Sequence, residues 1–175
     1  MELRRVAHIT RQSLGFYRES SAPAQTSIAA VLDSALELMK SRIASKEASI
    51  LKDWDNDVPV VAVSGELRQV FSNLLSNSLD AIDHQGSIRM RISTRDGYAR
   101  VTVADNGQGI EAGVRNRIFE PLFTTKGTVG TGLGLWVSKQ LIDKHHGRIS
   151  VHSRTAGPRR GTTISIKLPL LGKGS

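Results

Sequence analysis

Residues 105–134 read DNGQGIEAGVRNRIFEPLFTTKGTVGTGLG, and their glycine spacing decides how the rest of the chain is read. Seven of the 16 glycines fall here, at Gly107, Gly109, Gly113, Gly127, Gly130, Gly132 and Gly134. Such density points to turns with positive φ, or to backbone that must approach another group closely. The glycines form two clusters around an apolar run, where a formless surface loop would scatter them. Asp105 stands in front, at the end of the apolar strand pattern YARVTVA. The second cluster feeds straight into the helical pattern LGLWVSKQLIDKH.

The common phosphate loops are excluded. No G-x-x-x-x-G-K-[ST] occurs, and neither glycine cluster completes G-x-G-x-x-G. Free backbone N–H groups where Gly130, Gly132 and Gly134 meet a helix start still make a good anion cradle, with a glycine-rich cap as the plain alternative. Asp105 at a strand end, flanked by NGQGI, can accept a hydrogen bond from an exocyclic amine, or simply build an Asp-Asn-Gly turn. Upstream, Asn73 and Asn77 lie four apart on one face of a helix, among Leu74, Leu75, Leu79 and Ala81. Asparagine is an indifferent helix former, and its carbonyl oxygen suits Mg²⁺. Two surface asparagines are the alternative.

Working outward, residues 2–20 carry a helical apolar stripe through Leu3, Val6, Ala7, Leu14 and Tyr17, stopped by Pro23. A second helix spans about Ser27 to Lys46, striped by Ile28, Val31, Leu32, Ala35, Leu36, Met39 and Ile43. The strands ASILKDW and VPVVAVS flank an Asp-Asn-Asp turn. Ser64 is expected to cap a helix over residues 65–83. SIRMRIST and YARVTVA form a hairpin at Asp96-Gly97. The helix after the glycines closes at Gly147, and RISVHS and TTISIKLP are the last strands. This order predicts an α+β fold, a two-layer α/β sandwich with a mostly antiparallel sheet and helices on one face, preceded by one amphipathic helix. The divisions are residues 1–22 for that helix, 27–170 for the sandwich, and 171–175 for a tail.

The bulk numbers agree with a single soluble domain. The chain has 175 residues, 39% of them hydrophobic, and no cysteine, which removes disulfides and zinc–thiolate sites. No stretch is apolar enough for a spanning helix, so the expected location is cytoplasmic, though a longer parent could be anchored elsewhere. The net charge of +8 lies entirely in residues 111–175, which hold eleven basic and three acidic residues. That field favours a nucleotide phosphate or an acidic protein. Nucleic acid is disfavoured because the basic residues are dispersed and no recognition motif accompanies them.

Together the segments resemble the Bergerat-fold (GHKL) superfamily, and in order and spacing its sensor histidine kinases, over roughly residues 27–170. QVFSNLLSNSLDAI resembles the asparagine box, DNGQGI the first glycine box, IFEPLFTTK the phenylalanine box and GTGLGL the second glycine box. GTTISIKLP resembles the strand that completes the adenine pocket. The resemblance implies bound ATP and Mg²⁺. Asp105 would contact the adenine amino group, with Gly107, Gly109 and Ile110 close to the base and Thr163 in the adenine pocket. Asn77 would coordinate Mg²⁺ on the phosphates, with Asn73 beside it. Gly130, Thr131, Gly132, Leu133 and Gly134 would form the hinge and phosphate cradle. Phe119 and Phe123 would anchor a lid carrying Thr125 and Lys126, and Lys126 would join Asn73 and Asn77 in catalysis. Many of these kinases carry Lys or Arg where this chain has Asp80, which shifts phosphate neutralisation to Lys126, Arg115 or Arg117. The usual HGG reads His145-His146-Gly147 here.

Asn73 separates the branches. The related ATPase clamps, like DNA gyrase and the heat-shock chaperones, place a glutamate base there, whereas asparagine cannot activate water. A histidine kinase is therefore expected, ahead of an ATPase clamp or a non-catalytic ATP-binding module. LRRVAHITRQSLGFYRE resembles the second helix of the dimerisation and phosphoacceptor hairpin. His8 lacks the acidic neighbour of an acceptor, so the acceptor histidine is expected upstream, outside this chain. The implied partners are a second copy through that hairpin, the acceptor helix itself, and an acidic response-regulator receiver domain.

Overall fold

A computed structural model describes residues 22–54, 57–125 and 130–171. The expected N-terminal helix up to residue 21, residues 172–175 of the expected 171–175 tail, and Lys126 lie outside them. Helix α1 (Ile28–Ser45) begins where Ser27 turns its side chain back to accept from the Ala30 N–H at 3.0 Å. It buries Ile28, Val31, Leu32 and Ala35 against helix α2 (Ser64–Ala81). Leu36, Met39 and Ile43 of the expected stripe are only partly buried. Ser64 is already helical, and Val63 takes the cap position without a side-chain bond. The helix also stops at Ala81, short of the expected residue 83, because Ile82 turns into extended backbone.

Strand β1 (Ala24–Ser27) precedes α1 and pairs antiparallel with β3 (Pro59–Ala62). The sequence reading treated this stretch only as a break. Its four residues carry no alternation, and the pairing is set by a partner more than thirty residues away, with Thr26 Oγ1 donating to the Ala62 carbonyl at 3.0 Å. The main sheet runs in the order β2-β4-β5-β7-β6. Its strands are β2 (Ser49–Asp53), β4 (Ser87–Arg95), β5 (Tyr98–Asp105), β7 (Gly161–Pro169) and β6 (Arg148–Arg154). Only the β2–β4 seam is parallel. The β4–β5 hairpin turns at Asp96 and Gly97, with φ of 54° and 79°, as its Asp-Gly pair predicts.

One sheet face packs on α2 and α4 (Gly134–Lys144), and α1 lies against α2 within the same apolar core. Ile88, Met90, Val101, Val103, Ile164, Ile166 and Leu168 point that way, alternating with more exposed neighbours. This is the two-layer α+β sandwich the sequence predicts. Among the described residues no helix is long and apolar enough to cross a membrane. Past the end of α4, just before Gly147, His146 takes a left-handed conformation at φ 55°.

Candidate functional site

A cavity of about 310 Å³ opens between α2, the end of β5 and the segment leading into α4. Its floor is Asp105. The register places Asp105 opposite Thr162, on the helix-facing side of the sheet. One carboxylate oxygen accepts from the N–H groups of Gly107 at 3.0 Å and Thr162 at 3.1 Å. The other accepts from Ser78 Oγ at 3.0 Å. Burial pushes the Asp105 carboxyl above its usual range, against the pull of these three donors.

The strand alternation also corrects one expectation. Thr162 lines the cavity and Thr163 does not, because Thr163 shares its face with the outward residues of β7. Ser153 braces this corner. Its hydroxyl lies 2.9 Å from Thr162 Oγ1 and accepts from the Ile110 N–H at 2.7 Å. Ile110 and Gly109 line the cavity. Gly109 sits at φ 77°, where an added Cβ would fall 2.1 Å from the Arg154 carbonyl oxygen. Gly107 is not part of the lining; its missing Cβ makes room for the backbone of Ala81, 2.5 Å from where that Cβ would be. Both glycines of the first cluster are thus required by chain packing on chain.

Asn73 and Asn77 both line the cavity from α2. Asn73 Nδ2 donates to the Gly134 carbonyl at 3.1 Å and to Ser138 Oγ at 3.3 Å, tying α2 to the first turn of α4. That leaves its Oδ1 as the atom it can offer a ligand. Gly130, Thr131, Gly132 and Gly134 complete this side, while Leu133 stands at the helix start outside the lining. Leu133 gives α4 no side-chain cap, so the first-turn N–H groups remain open to an anion. Thr125 and Phe123 line the cavity from the segment between the two glycine clusters, and Arg117 stacks 4.5 Å from the Phe123 ring centre. The expected Phe119 anchor is replaced by Ile118, which is buried and lines the cavity; Phe119 is half-buried and turned elsewhere.

Ser78 and Thr162 were missed by sequence reasoning. Ser78 carried a readable signal: it lies four residues after Leu74 and three after Leu75, a polar side chain at a core position of α2. Asp80 lines the rim and pairs with Arg42 of α1 at 2.5 Å. His145 is buried, its Nε2 lies 2.9 Å from Glu66 Oε2, and burial lowers its pKa while Glu66 opposes the shift.

A carboxylate floor, a helix-borne asparagine pair and an uncapped glycine-lined helix start converge on one cavity. A family model described as "Histidine kinase-, DNA gyrase B-, and HSP90-like ATPase" matches residues 62–172, which hold all of that lining. The chain belongs to this ATPase family. Within it, the chain is 33% identical over 177 residues to the signal transduction histidine-protein kinase AtoS of Escherichia coli, covering 99% of this chain and 28% of AtoS. It is 38% identical over 168 residues to the C4-dicarboxylate transport sensor protein DctB of Rhizobium meliloti, covering 94% of this chain and 26% of DctB. The solved mycobacterial sensor histidine kinase MprB superposes with a TM-score of 0.77 at 28% identity, covering 85% of this chain and 98% of that structure. The ATPase-family chain thus spans little more than a quarter of the length of these curated relatives.

Proposed function

We propose that this chain is the ATP-binding, phosphoryl-transferring module of a two-component sensor histidine kinase. The observation that carries the reading is Asp105, a carboxylate at the cavity floor whose lone pairs are only partly used by Ser78, Gly107 and Thr162. Such a group recognises an adenine amino donor and meets a repelling carbonyl oxygen in guanine. Gly109, Ile110 and Thr162 border the base. Thr125, Gly130, Thr131, Gly132, Leu133 and Gly134 face the phosphates, with Lys126 assigned there by resemblance.

The donor set fits Mg²⁺ only together with a nucleotide. Among the described residues no group of three or more His, Cys, Asp or Glu side chains could hold a metal alone. Neutral amide oxygens from Asn77 and Asn73 cannot offset the dehydration of Mg²⁺, so phosphate oxygens must supply the charge. Bound there, Mg²⁺ would neutralise the β- and γ-phosphates.

Asn73 favours the kinase over the hydrolytic clamp, because its amide nitrogen is held by α4 and no base stands at that position. The nucleophile is then a histidine on a phosphoacceptor helix outside this chain, in a homodimer that relays to an acidic receiver domain. Residues 1–22 belong to that hairpin in this reading, and 27–170 to the catalytic module.

Calorimetry with ATP, ADP and GTP tests the assignment. ATP and ADP are expected to bind at least about tenfold more tightly than GTP, and Asp105→Ala is expected to weaken ATP by a similar factor. Equal affinity for GTP would overturn it. Incubated alone with γ-labelled ATP, the chain is expected to stay unlabelled.

A further inference from the structure

The basic residues that are scattered in sequence converge on one surface of the fold. On the sheet face turned away from the helices, the strand register sets Arg100, Lys167 and Arg148 directly side by side across β5, β7 and β6. Neighbouring strands lie about 4.8 Å apart, so the three cations form a row about 10 Å long. On β4 the row ends at Ser93; Arg91 and Arg89 stand on the same face one and two rows further along, opposite Thr102 and Ala104, and of these Arg91 is paired, with Asp53 at 2.5 Å. Thr102, Ser165 and Ser150 make the adjoining row. Among the described residues no acid pairs with Arg100, Lys167, Arg148 or Arg89, and Lys167, Arg148 and Arg89 are exposed.

Like charges directly opposite on neighbouring strands destabilise a sheet. Here the cost is borne twice in one row without a compensating carboxylate. We infer that this bare sheet face is a docking surface for the acidic face of a folded partner protein, separate from the ATP cavity on the far side of the sheet. The chemistry favours a protein over the other polyanions. Short hydroxyl side chains between the cations give a flat, polar, hydrogen-bonding floor that a second folded surface can approach closely. Membrane-surface binding couples cations to apolar side chains that insert, and single-stranded nucleic acid needs a platform of aromatic rings. This face offers Leu51 at one edge and Tyr98 at one end.

The test uses the whole chain with three probes at one ionic strength: an oligoglutamate peptide, anionic phosphatidylglycerol vesicles and duplex DNA. Oligoglutamate is expected to shift the amide resonances of β5, β6 and β7. Arg148→Glu/Lys167→Glu is expected to weaken that binding about tenfold or more, while ATP binding stays unchanged as the control for folding. Lys40→Glu/Lys139→Glu makes the same change of net charge on the helical side and is expected to leave oligoglutamate binding nearly intact. The inference is overturned if both double variants lose binding equally, if the face variant binds as the parent does, or if vesicles or DNA outcompete the peptide at this face.

Discussion

At the scale of single residues, Asp105 bears two opposed demands. Burial disfavours its charge, and the nucleotide reading needs that charge to accept from adenine. Because its pKa is raised in the folded state, the native protein holds a proton to higher pH than the unfolded chain does. Its contribution to stability therefore falls as pH rises from the ordinary carboxylate range through the raised value, and is flat above it. ATP affinity is expected to move the other way, rising across the same window as the carboxylate ionises. Calorimetric titration of ATP between about pH 4 and 7 checks this, with Asp105→Asn expected to be weak and to lose that rise. An affinity that is level across the window in the parent protein would contradict the assigned role.

At the scale of elements, the end of α4 is built against local preference. His146 occupies a left-handed conformation at φ 55°, which costs a residue with a Cβ about 1 kcal/mol relative to glycine. His146→Gly is expected to stabilise the chain by up to about 1 kcal/mol, less what the freer unfolded chain takes back, as read from urea midpoints. A fall in stability would mean that the histidine ring supplies something its exposed position does not reveal. The elements also show what a sequence can and cannot disclose. The helices were legible because their apolar stripes repeat every turn, and the β4–β5 hairpin because Asp96-Gly97 names its own turn. β1 was invisible because an alanine and three polar residues become a strand only when β3 offers a partner. In the site, charge and helical spacing left Asp105, Asn73 and Asn77 open to plainer readings; the family resemblance singled them out, and the fold brings all three to one cavity. Thr162 was lost to its neighbour because motif resemblance fixes a strand but not which of two adjacent threonines faces inward. Ile118 displaced Phe119 because the turns after the short helix α3 (Ala112–Arg115) set side-chain direction, and no periodicity foretells them.

At the scale of the whole molecule, the buried apolar core runs from Ile28 to Leu168. A protein trimmed to residues 22–171 is therefore expected to melt cooperatively and still bind ATP. Saturation at 100 times the dissociation constant would stabilise it by about 2.7 kcal/mol, visible as a rise in Tm. Loss of cooperative melting on trimming would place part of the core in residues 1–21. The strand order has a consequence in time. β7 leaves the ribosome after every other strand, yet it belongs between β5 and β6. Until it slots in, those two strands have no neighbour on their facing edges, and the pairing to be made spans some sixty residues of chain between Asp105 and Thr162. Thr162 also brings one of the three donors that hold Asp105. In the proposed reading a nascent chain consequently has no finished adenine floor, and ATP can be captured only after β7 has been made and has closed the sheet.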